Sequence, residues 1–353
     1  MLPLCTRAGY NSIVTRSGTG SSGRGPRKDT IADVLNWLVI GIGDITTKRV
    51  IPAISAEPRS RLYGVVSRDA AKGARYAEHV WRSLDEALNE PAIQAVYIAT
   101  PVSLHTPQTM AALRAGKHVL CEKPMAMNYA EAQEMVHAGT ESGKIFGVAY
   151  YRRMYLKVRR LKELVDTGAI GRPVLAEARN HYWFNNEDGK RPWRLDPAQA
   201  GGGPLYDIAS HRIDLLNYLF GRPKRVAAQL GNIVHQNPVE DSATVLVEYD
   251  NGVRGIVDVR WHSRVQRDEF RVIGTDGEID LDPLNGPVFV GPGGLEELPC
   301  HANLHYPCVE NFVSAVLDGT PLAASGESSL WTDWVTEQAM RSHAGSSVKP
   351  LLR

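Results

Sequence analysis

Lys123 is the residue of this sequence best placed for chemistry, because it stands between Glu122 and Pro124 directly after the apolar, strand-like run 118–121. The ammonium of a lysine at a strand end can donate hydrogen bonds to a substrate oxygen that gains negative charge. Pro124 would stiffen the turn that presents the lysine. An isolated Glu-Lys-Pro is more often a surface turn, so the chemical interpretation depends on the rest of the chain.

A second pair of reactive types, Asp207 and His211, stands four residues apart after a triple-glycine turn at 201–203. The apolar periodicity predicts a helix over 205–220, which would put both side chains on one face. Histidine has the near-neutral pKa that exchange of a hydroxyl proton requires. In a different register, Asp214 would pair with a neighbouring group instead.

A glycine turn lies far upstream, between a predicted strand and a predicted helix. Backbone N–H groups and the positive helix end at such a turn can bind a pyrophosphate. Thr46 replaces the third glycine of the usual fingerprint, and its hydroxyl could cap the helix. The predicted cofactor-binding residues of this turn are Gly41, Gly43, Asp44, Ile45 and Thr46.

The end of the second predicted strand indicates which dinucleotide binds. It contains no carboxylate at its last position, and Ser67, Arg68 and Lys72 could all donate to a 2′-phosphate. We therefore expect NADP(H). Asp69 keeps NAD(H) as the alternative if its carboxylate points inward.

The elements that position these residues follow two different patterns. From Asn36 onward, short apolar runs at 37–40, 62–66, 95–99, 119–121 and 146–149 alternate with predicted helices at 47–56, 70–79, 107–115 and 129–141. This alternation predicts an α/β fold with an N-terminal Rossmann domain, a doubly wound parallel sheet, over 34–151. The length of 353 residues favours a second domain.

Residues 152–353 are predicted to form an α+β domain for substrate binding and oligomerisation, with a large, mainly antiparallel open sheet. After a helix at 156–167, alternating segments at 174–183, 225–234, 243–249, 254–261 and 270–273 read as its strands. Helices at 307–317 and 330–342 follow.

Taken in this order, the glycine turn, Lys123 and the Asp207/His211 pair resemble the glucose-fructose oxidoreductase and inositol dehydrogenase family (Gfo/Idh/MocA) from roughly Asn36 to the C-terminus. The resemblance implies a nicotinamide cofactor and a sugar, cyclitol or related substrate. It implies that Lys123 is the central catalytic residue, that His211 donates or accepts the proton, and that Asp207 orients His211 or binds substrate. It also implies a homodimer or homotetramer, and a C-terminal helix that packs back on the Rossmann domain.

The same resemblance implies further site residues. A cofactor loop would contain Thr100, Pro101 and His105, and Glu122 would lie beside the cofactor with Lys123. Trp193 and Arg194 would lie against the cofactor, and Arg152 would hold a substrate hydroxyl or carboxylate. This chain departs from the family at Tyr150, where asparagine is usual.

Composition excludes several other classes of protein. Forty basic and 39 acidic residues leave a formal charge of +1, so no charge pattern favours nucleic acid. The four cysteines form no C-x-x-C pair or disulfide framework, which favours the cytoplasm. No apolar run is long enough to span a bilayer, and the histidine spacing predicts no metal site.

Residues 1–33 read as a disordered extension, since 1–28 lack acidic residues and are rich in Ser, Gly and Arg. A transit peptide has a similar composition.

The sequence as a whole predicts an NADP(H)-dependent oxidoreductase that interconverts a hydroxyl and a carbonyl on a sugar, a sugar derivative or a cyclitol. One alternative is a glycosidase or epimerase that oxidises its substrate transiently with a tightly bound NAD(P). The other is a noncatalytic dinucleotide sensor. Substrate identity would depend on loops such as 184–191, which sequence alone cannot place.

Overall fold

The computed structural model describes residues 34–185 and 192–345. The predicted extension 1–33 and most of the predicted specificity loop, 186–191, lie outside these residues. The strands are β1 Leu35–Ile40, β2 Ser60–Val66, β3 His79–Trp81, β4 Ala95–Ile98, β5 His118–Cys121, β6 Phe146–Val148, β7 Pro173–Trp183, β8 Pro223–Gly231, β9 Ser242–Tyr249, β10 Arg254–Arg260, β11 His262–Gly274, β12 Glu278–Leu281, β13 Val288–Gly291 and β14 Gly294–Glu297.

The α-helices are α1 Ile51–Ala56, α2 Ala70–Gly73, α3 Leu84–Leu88, α4 His105–Arg114, α5 Tyr129–Ser142, α6 Leu156–Asp166, α7 Pro197–Ala200, α8 Ser210–Phe220, α9 Tyr306–Asp318 and α10 Gly326–Gly345. π-Helical turns at Thr46–Val50 and Leu205–Ala209 lead into α1 and α8, and short 3₁₀ turns occupy Val102–Leu104, Tyr151–Met154 and Pro192–Leu195.

The first sheet is parallel and has the strand order β3-β2-β1-β4-β5-β6. Its central strands are mostly apolar because helices cover both faces, and β4 is buried at every position. The order reverses between β1 and β4, so a crevice opens at the carboxyl ends of these two strands. The predicted doubly wound sheet is confirmed, and the glycine turn lies at this crevice.

One predicted helix of this domain is wrong in extent. Helix α2 ends at Gly73 instead of continuing to His79, and residues 79–81 form β3 on the edge of the sheet. A Cβ on Gly73 would lie 2.6 Å from Val80 Cγ1, so the helix end packs closely on the new strand. Hydrogen bonds between β3 and β2 therefore outweigh the local preference for helix.

The second sheet has the order β14-β13-β12-β11-β7-β10-β9-β8 and is antiparallel except where β7 pairs with β10. The prediction of a mainly antiparallel open sheet is confirmed. Strand β8 ends at Gly231 rather than at Val234, because the Asp241 carboxylate accepts the backbone N–H groups of residues 233–235. Strands β12 to β14 were not expected, since each spans only four residues.

Helix α10 packs between the second sheet and a helix of the first domain. It packs against β8 on one side and against α5 on the other, where Asp333 Oδ1 accepts the Ala126 N–H at 3.1 Å and Glu337 Oε2 accepts the Tyr129 N–H at 2.9 Å. Helix α8 packs on β10 with its N-terminal end near the end of β5. The two sheets are thereby arranged so that Lys123 and α8 face each other. The domain boundaries at 33/34 and 151/152 stay predictions.

Candidate active site

The turn after β1 has a backbone that only glycine accommodates. Gly41 has φ +89°, and a Cβ there would lie 2.6 Å from the carbonyl oxygen of Ala99. Thr46 is buried and its hydroxyl donates to the Gly41 carbonyl at 2.7 Å, so it closes the turn instead of capping a helix N–H. The close packing of Gly41 on Ala99 and the hydrogen bond from Thr46 therefore fix the conformation of the turn.

The outer side of this turn is open. A Cβ on Gly43 would meet no atom of the described residues within 4 Å, so nothing there hinders close approach of a phosphate. Ile45 is exposed, and Asp44 is held 3.4 Å from Lys48 on the surface. The first N–H groups of the following helix have no intrahelical acceptor. The turn therefore leaves room for a pyrophosphate, and its role in binding the cofactor stays a prediction.

At the end of β2, some side chains are held by contacts within the protein and one points to solvent. Asp69 caps α2 by accepting the Lys72 N–H at 3.0 Å, and Ser67 donates to the Asp69 carbonyl at 2.7 Å. Lys72 Nζ donates to the Ile42 carbonyl at 2.5 Å, which ties it to the glycine turn. Arg68 is exposed, and no carboxylate among residues 34–185 and 192–345 pairs with it. Arg68 is thus the cation left available at this strand end.

The predicted cofactor loop after β4 is fastened by His105. This buried ring lies 2.9 Å from the Pro124 carbonyl through Nδ1 and 3.0 Å from the Thr100 carbonyl through Nε2. Burial lowers its pKa. The Thr100 hydroxyl donates to Gln108 at 2.8 Å, and Pro101 precedes the 3₁₀ turn. His105 therefore joins the loop after β4 to the turn that carries Lys123.

Glu122 points into the interior beneath Lys123. Its Oε1 accepts the Tyr97 hydroxyl at 2.7 Å and lies 3.2 Å from His305 Nε2. Burial raises the pKa of Glu122, but the contacts with His305 and Tyr97 and the charge of Lys123 leave it lowered overall. Sequence reasoning missed Tyr97 and His305, because neither stands in a motif near Glu122.

Lys123 contacts Asp207, which lies 84 residues further along the chain. Lys123 Nζ donates to the Asp207 carbonyl at 2.7 Å and to its carboxylate Oδ1 at 3.2 Å, and Arg194 donates to the same Oδ1 at 2.7 Å. Burial would raise the pKa of Asp207, but the charges of Arg194 and Lys123 lower it to about 2. Asp207 is therefore a carboxylate at physiological pH, and it places the lysine ammonium.

His211 lies next to this cluster without joining it. No hydrogen bond links it to Asp207, and its buried Nδ1 has no partner within the described part of the chain. The ring packs edge-on against Tyr150 and Tyr151, at centroid distances of 6.0 and 5.2 Å. Burial and the nearby charges of Arg152 and Lys123 hold the pKa of His211 well below its usual value. A neutral imidazole of this kind can accept a proton.

The expected orienting bond between Asp207 and His211 is thus not formed. A carboxylate makes stronger hydrogen bonds with two cations than with a neutral imidazole, so Lys123 and Arg194 take Asp207. Asp214, the alternative partner, is bonded to Arg153 Nε at 2.9 Å and Nη2 at 2.5 Å in a buried ion pair.

The remaining predicted residues lie around the cluster. Arg152 is buried in the 3₁₀ turn after β6, and its guanidinium lies 4.9 Å from the centre of the Tyr151 ring. Trp193 is half-buried beside Arg194 in the 3₁₀ turn 192–195.

Glu240 supports the start of the helical segment that carries Asp207 and His211, and sequence reasoning did not predict this contact. Its two carboxylate oxygens accept the N–H groups of Gly203 at 2.8 Å and Leu205 at 3.0 Å, just before α8. A Cβ on Gly203 would lie 2.0 Å from the Glu240 carbonyl, so the glycine permits this contact. No local signal could reveal the pairing, because the two segments are 37 residues apart in sequence.

Comparison with known proteins agrees with this arrangement. Residues 35–150 match the model of an oxidoreductase family with an NAD-binding Rossmann fold, and residues 158–280 match the GFO/IDH/MocA C-terminal domain. The 1,5-anhydro-D-fructose reductase of Ensifer adhaerens is 31% identical over 310 residues, 84% of this chain and 92% of that protein. This chain belongs to the Gfo/Idh/MocA family.

Two further relatives of this Gfo/Idh/MocA oxidoreductase extend the comparison. Trans-1,2-dihydrobenzene-1,2-diol dehydrogenase of Mus musculus is 31% identical over 75% of this chain and 80% of that protein. The crystal structure of aldose-aldose oxidoreductase from Caulobacter crescentus superposes with a TM-score of 0.79, at 26% identity over 88% of this chain and 98% of that one. The chain is accordingly an oxidoreductase with the family's NAD-binding domain, as its sequence predicted.

Residues 34–185 and 192–345 contain no cluster of three or more His, Cys, Asp or Glu side chains suited to a metal ion. Within the same ranges, no helix has the length and apolar character needed to cross a membrane.

Proposed function

We propose that this protein is an NADP(H)-dependent oxidoreductase that interconverts a hydroxyl and a carbonyl on a sugar, a sugar derivative or a cyclitol. The observation that carries the proposal is the placement of the Lys123 ammonium by Asp207, next to the neutral His211. The substrate class is supported by the names of the relatives, which include an anhydrofructose reductase and an aldose-aldose oxidoreductase.

The residues divide the work of the reaction. The bound nicotinamide supplies or accepts the hydride. Lys123 Nζ donates a hydrogen bond to the substrate oxygen and stabilises its negative charge as the carbonyl is reduced or the alcohol is oxidised. Asp207 holds the ammonium in place through two contacts and, with Arg194, keeps the cluster ionised.

His211 serves as the proton carrier. When the alcohol is oxidised, the neutral imidazole accepts the hydroxyl proton, and in the reverse direction the imidazolium returns it. Its lowered pKa makes the imidazolium a strong acid, which favours delivery of the proton to the new alkoxide. The edge-on packing against Tyr150 and Tyr151 fixes the ring orientation in place of a carboxylate.

Preference for NADP(H) over NAD(H) is supported by the end of β2. Asp69 is engaged as the helix cap of α2 and Lys72 is bonded to the glycine turn, so Arg68 is the side chain free to meet a 2′-phosphate. A guanidinium pairs with phosphate through charge-assisted hydrogen bonds. A ribose 2′-hydroxyl would instead call for a carboxylate that accepts from it.

We also propose that the protein is cytoplasmic and forms a homodimer or homotetramer. The outward face of the second sheet carries the apolar side chains Leu175, Leu246 and Ile256, and Leu246 is 45% exposed. An open sheet face of this kind is commonly covered by a second subunit.

Equilibrium binding of NADPH and NADH to the purified protein tests the proposal, followed by nicotinamide absorbance with a panel of keto-sugars and inososes. Tight NADPH binding with oxidation by a panel member would support it. Bound dinucleotide and substrate turnover without net redox change would indicate the transiently oxidising glycosidase or epimerase. Binding without any turnover would indicate a sensor, and absence of binding would overturn the proposal.

A further inference from the structure

Arg152 is a buried cation with unused hydrogen-bond donors. It is 8% exposed, and neither its Nε nor its Nη1 has an acceptor in the described part of the chain. Burial lowers its pKa, but Tyr151, Tyr155 and Asp268 raise it overall, so the guanidinium is charged. Leaving donors of a buried charge unsatisfied is costly, which points to an acceptor that arrives with a ligand.

Arg212 is a second buried guanidinium next to the first. It follows His211 on α8, is 2% exposed, and donates from Nη2 to Asp268 Oδ1 at 2.6 Å. Its Nε is buried and, among the residues described, likewise has no acceptor. Burial and the charge of Arg152 lower the pKa of Arg212 to about 10. The two like charges are therefore close enough to repel each other.

The carboxylates nearby are already committed. Asp268 accepts from Arg212 through Oδ1 and from the backbone and side chain of Asn285 through Oδ2, at 2.9 and 2.6 Å. Asp214 is occupied by its bidentate pair with Arg153. One negative charge, that of Asp268, thus acts on both arginines, and among the described residues Arg152 has no ion-pair partner. A monoanion would balance it.

The reacting groups lie beside these arginines. Arg152 is adjacent to Tyr151, whose ring packs on His211, and the charge of Arg152 acts directly on His211. A substrate whose hydroxyl or carbonyl reaches Lys123 and His211 would therefore place another part of itself at Arg152.

We propose that the substrate is a sugar acid, and that Arg152 and Arg212 receive its carboxylate while Lys123 and His211 act on a hydroxyl or carbonyl elsewhere in the same molecule. The inference rests on the proposed function, which it narrows from sugars and cyclitols in general to their carboxylated members. A carboxylate fits better than a phosphate dianion, because Arg152 and Arg212 together carry one positive charge beyond the negative charge of Asp268.

Calorimetric titration of the protein saturated with NADPH tests the inference without turnover when the probe has no free carbonyl, because NADPH then has nothing to reduce. The probes are matched pairs that differ in one carboxylate: the methyl glycosides of D-glucuronate and D-glucose, the methyl glycosides of D-galacturonate and D-galactose, and D-gluconate with D-glucitol. The methyl glycoside of D-glucose 6-phosphate provides the phosphate arm. We expect at least one acid to bind about tenfold or more tightly than its neutral partner, as charge-assisted hydrogen bonds predict.

The variants R152M and R152K connect this preference to the site. R152M should abolish the preference, and R152K should retain part of it because a lysine keeps the charge but offers a single donor position. Arg225 provides the matched control, since it lies exposed on β8, pairs with Glu248 and contributes the same charge to the chain. R225M should bind every probe as the wild type does.

The wild-type titrations decide the matter even if R152M fails to fold. If no acid binds more tightly than its neutral partner, or if the sugar phosphate binds most tightly, the carboxylate site is wrong. A preference that persists in folded R152M, with unchanged NADPH affinity, would also overturn it. NADPH binding and turnover of neutral keto-sugars are measured separately, so the proposed oxidoreductase can stand while this inference falls.

Discussion

The two halves of the crevice are built in different ways. The half that we propose to face the cofactor is a backbone turn, in which Gly41, Gly43 and Thr46 lie within six residues and the donors are main-chain N–H groups. The half that we propose to face the substrate consists of charged side chains, with the half-buried Lys123 and Asp207 brought together across 84 residues. Side chains in a turn can be replaced as long as the backbone conformation is kept. An ionic cluster, in contrast, depends on the identity and charge of each member.

This difference separates binding from chemistry. Changes in the turn should weaken the dinucleotide or the fold and leave the reacting groups intact. Changes in the cluster should reduce turnover and leave cofactor affinity largely unaltered. Variants that violate this division would show that the two halves are energetically coupled.

The largest effect is expected from K123M, which removes the donor to the substrate oxygen. Turnover should fall about 10³-fold, in the range seen when an oxyanion donor is lost, while NADPH affinity is retained. Steady-state kinetics and equilibrium binding measure the two quantities. K162M is the control, because Lys162 lies on α6, where it pairs with Asp166 and lies over the Tyr218 ring. Turnover equal to wild type in K123M would remove Lys123 from the mechanism.

H211Q should reduce kcat about 10²-fold, the usual contribution of a general base. His137, exposed and paired with Glu141 on α5, gives the matched control H137Q. Equal losses in both variants would contradict a catalytic role for His211.

The pH profile of the wild type sharpens the same point. Because the pKa of His211 is well below 6.5 in the folded protein, the imidazole is neutral from pH 6 to 8. The rate of alcohol oxidation should therefore show no protonation limb near pH 6.5, and its acid limb should lie at lower pH. A limb centred at 6.5 would show that His211 is solvated or is not the base.

In the turn, G41A and G43A should behave differently. G41A forces a side chain into the φ +89° conformation, 2.6 Å from the Ala99 carbonyl, and should lower the free energy of unfolding by about 1–3 kcal/mol. G43A adds a methyl in open space, so it should preserve stability and weaken NADPH binding alone. Chemical denaturation and NADPH titration measure both, and equal stability of the two variants would refute this account.

The smallest effect is expected from R68A, which should weaken NADPH about tenfold, equivalent to one charge-assisted hydrogen bond, and leave NADH unchanged. R61A is the control, because Arg61 is exposed on the same strand β2. Parallel weakening of NADPH and NADH in R68A would mean that the arginine does not distinguish the 2′-phosphate.

Much of the fold could be predicted because it depends on local patterns. Alternation of apolar runs and helices indicated the parallel sheet, and period-two segments indicated the second one. The prediction was wrong at 74–79, because the helix ends at Gly73 and residues 79–81 pair with β2 as the strand β3. The strands β12 to β14 were missed, because a strand of four residues is too short to show a clear period-two pattern.

By itself, the sequence determined the fold class, the glycine turn and the strand end that carries Lys123, because each depends on residues that are neighbours along the chain. Only the tertiary structure decided that Asp207 binds Lys123 and Arg194 instead of His211, that Glu240 supports α8, and that Arg212 pairs with Asp268. These pairings, and the ionisation states that follow from them, depend on burial and on distances between remote segments. Electrostatic energies change steeply with burial and with distance, and neither quantity can be predicted from residues that are neighbours in the sequence.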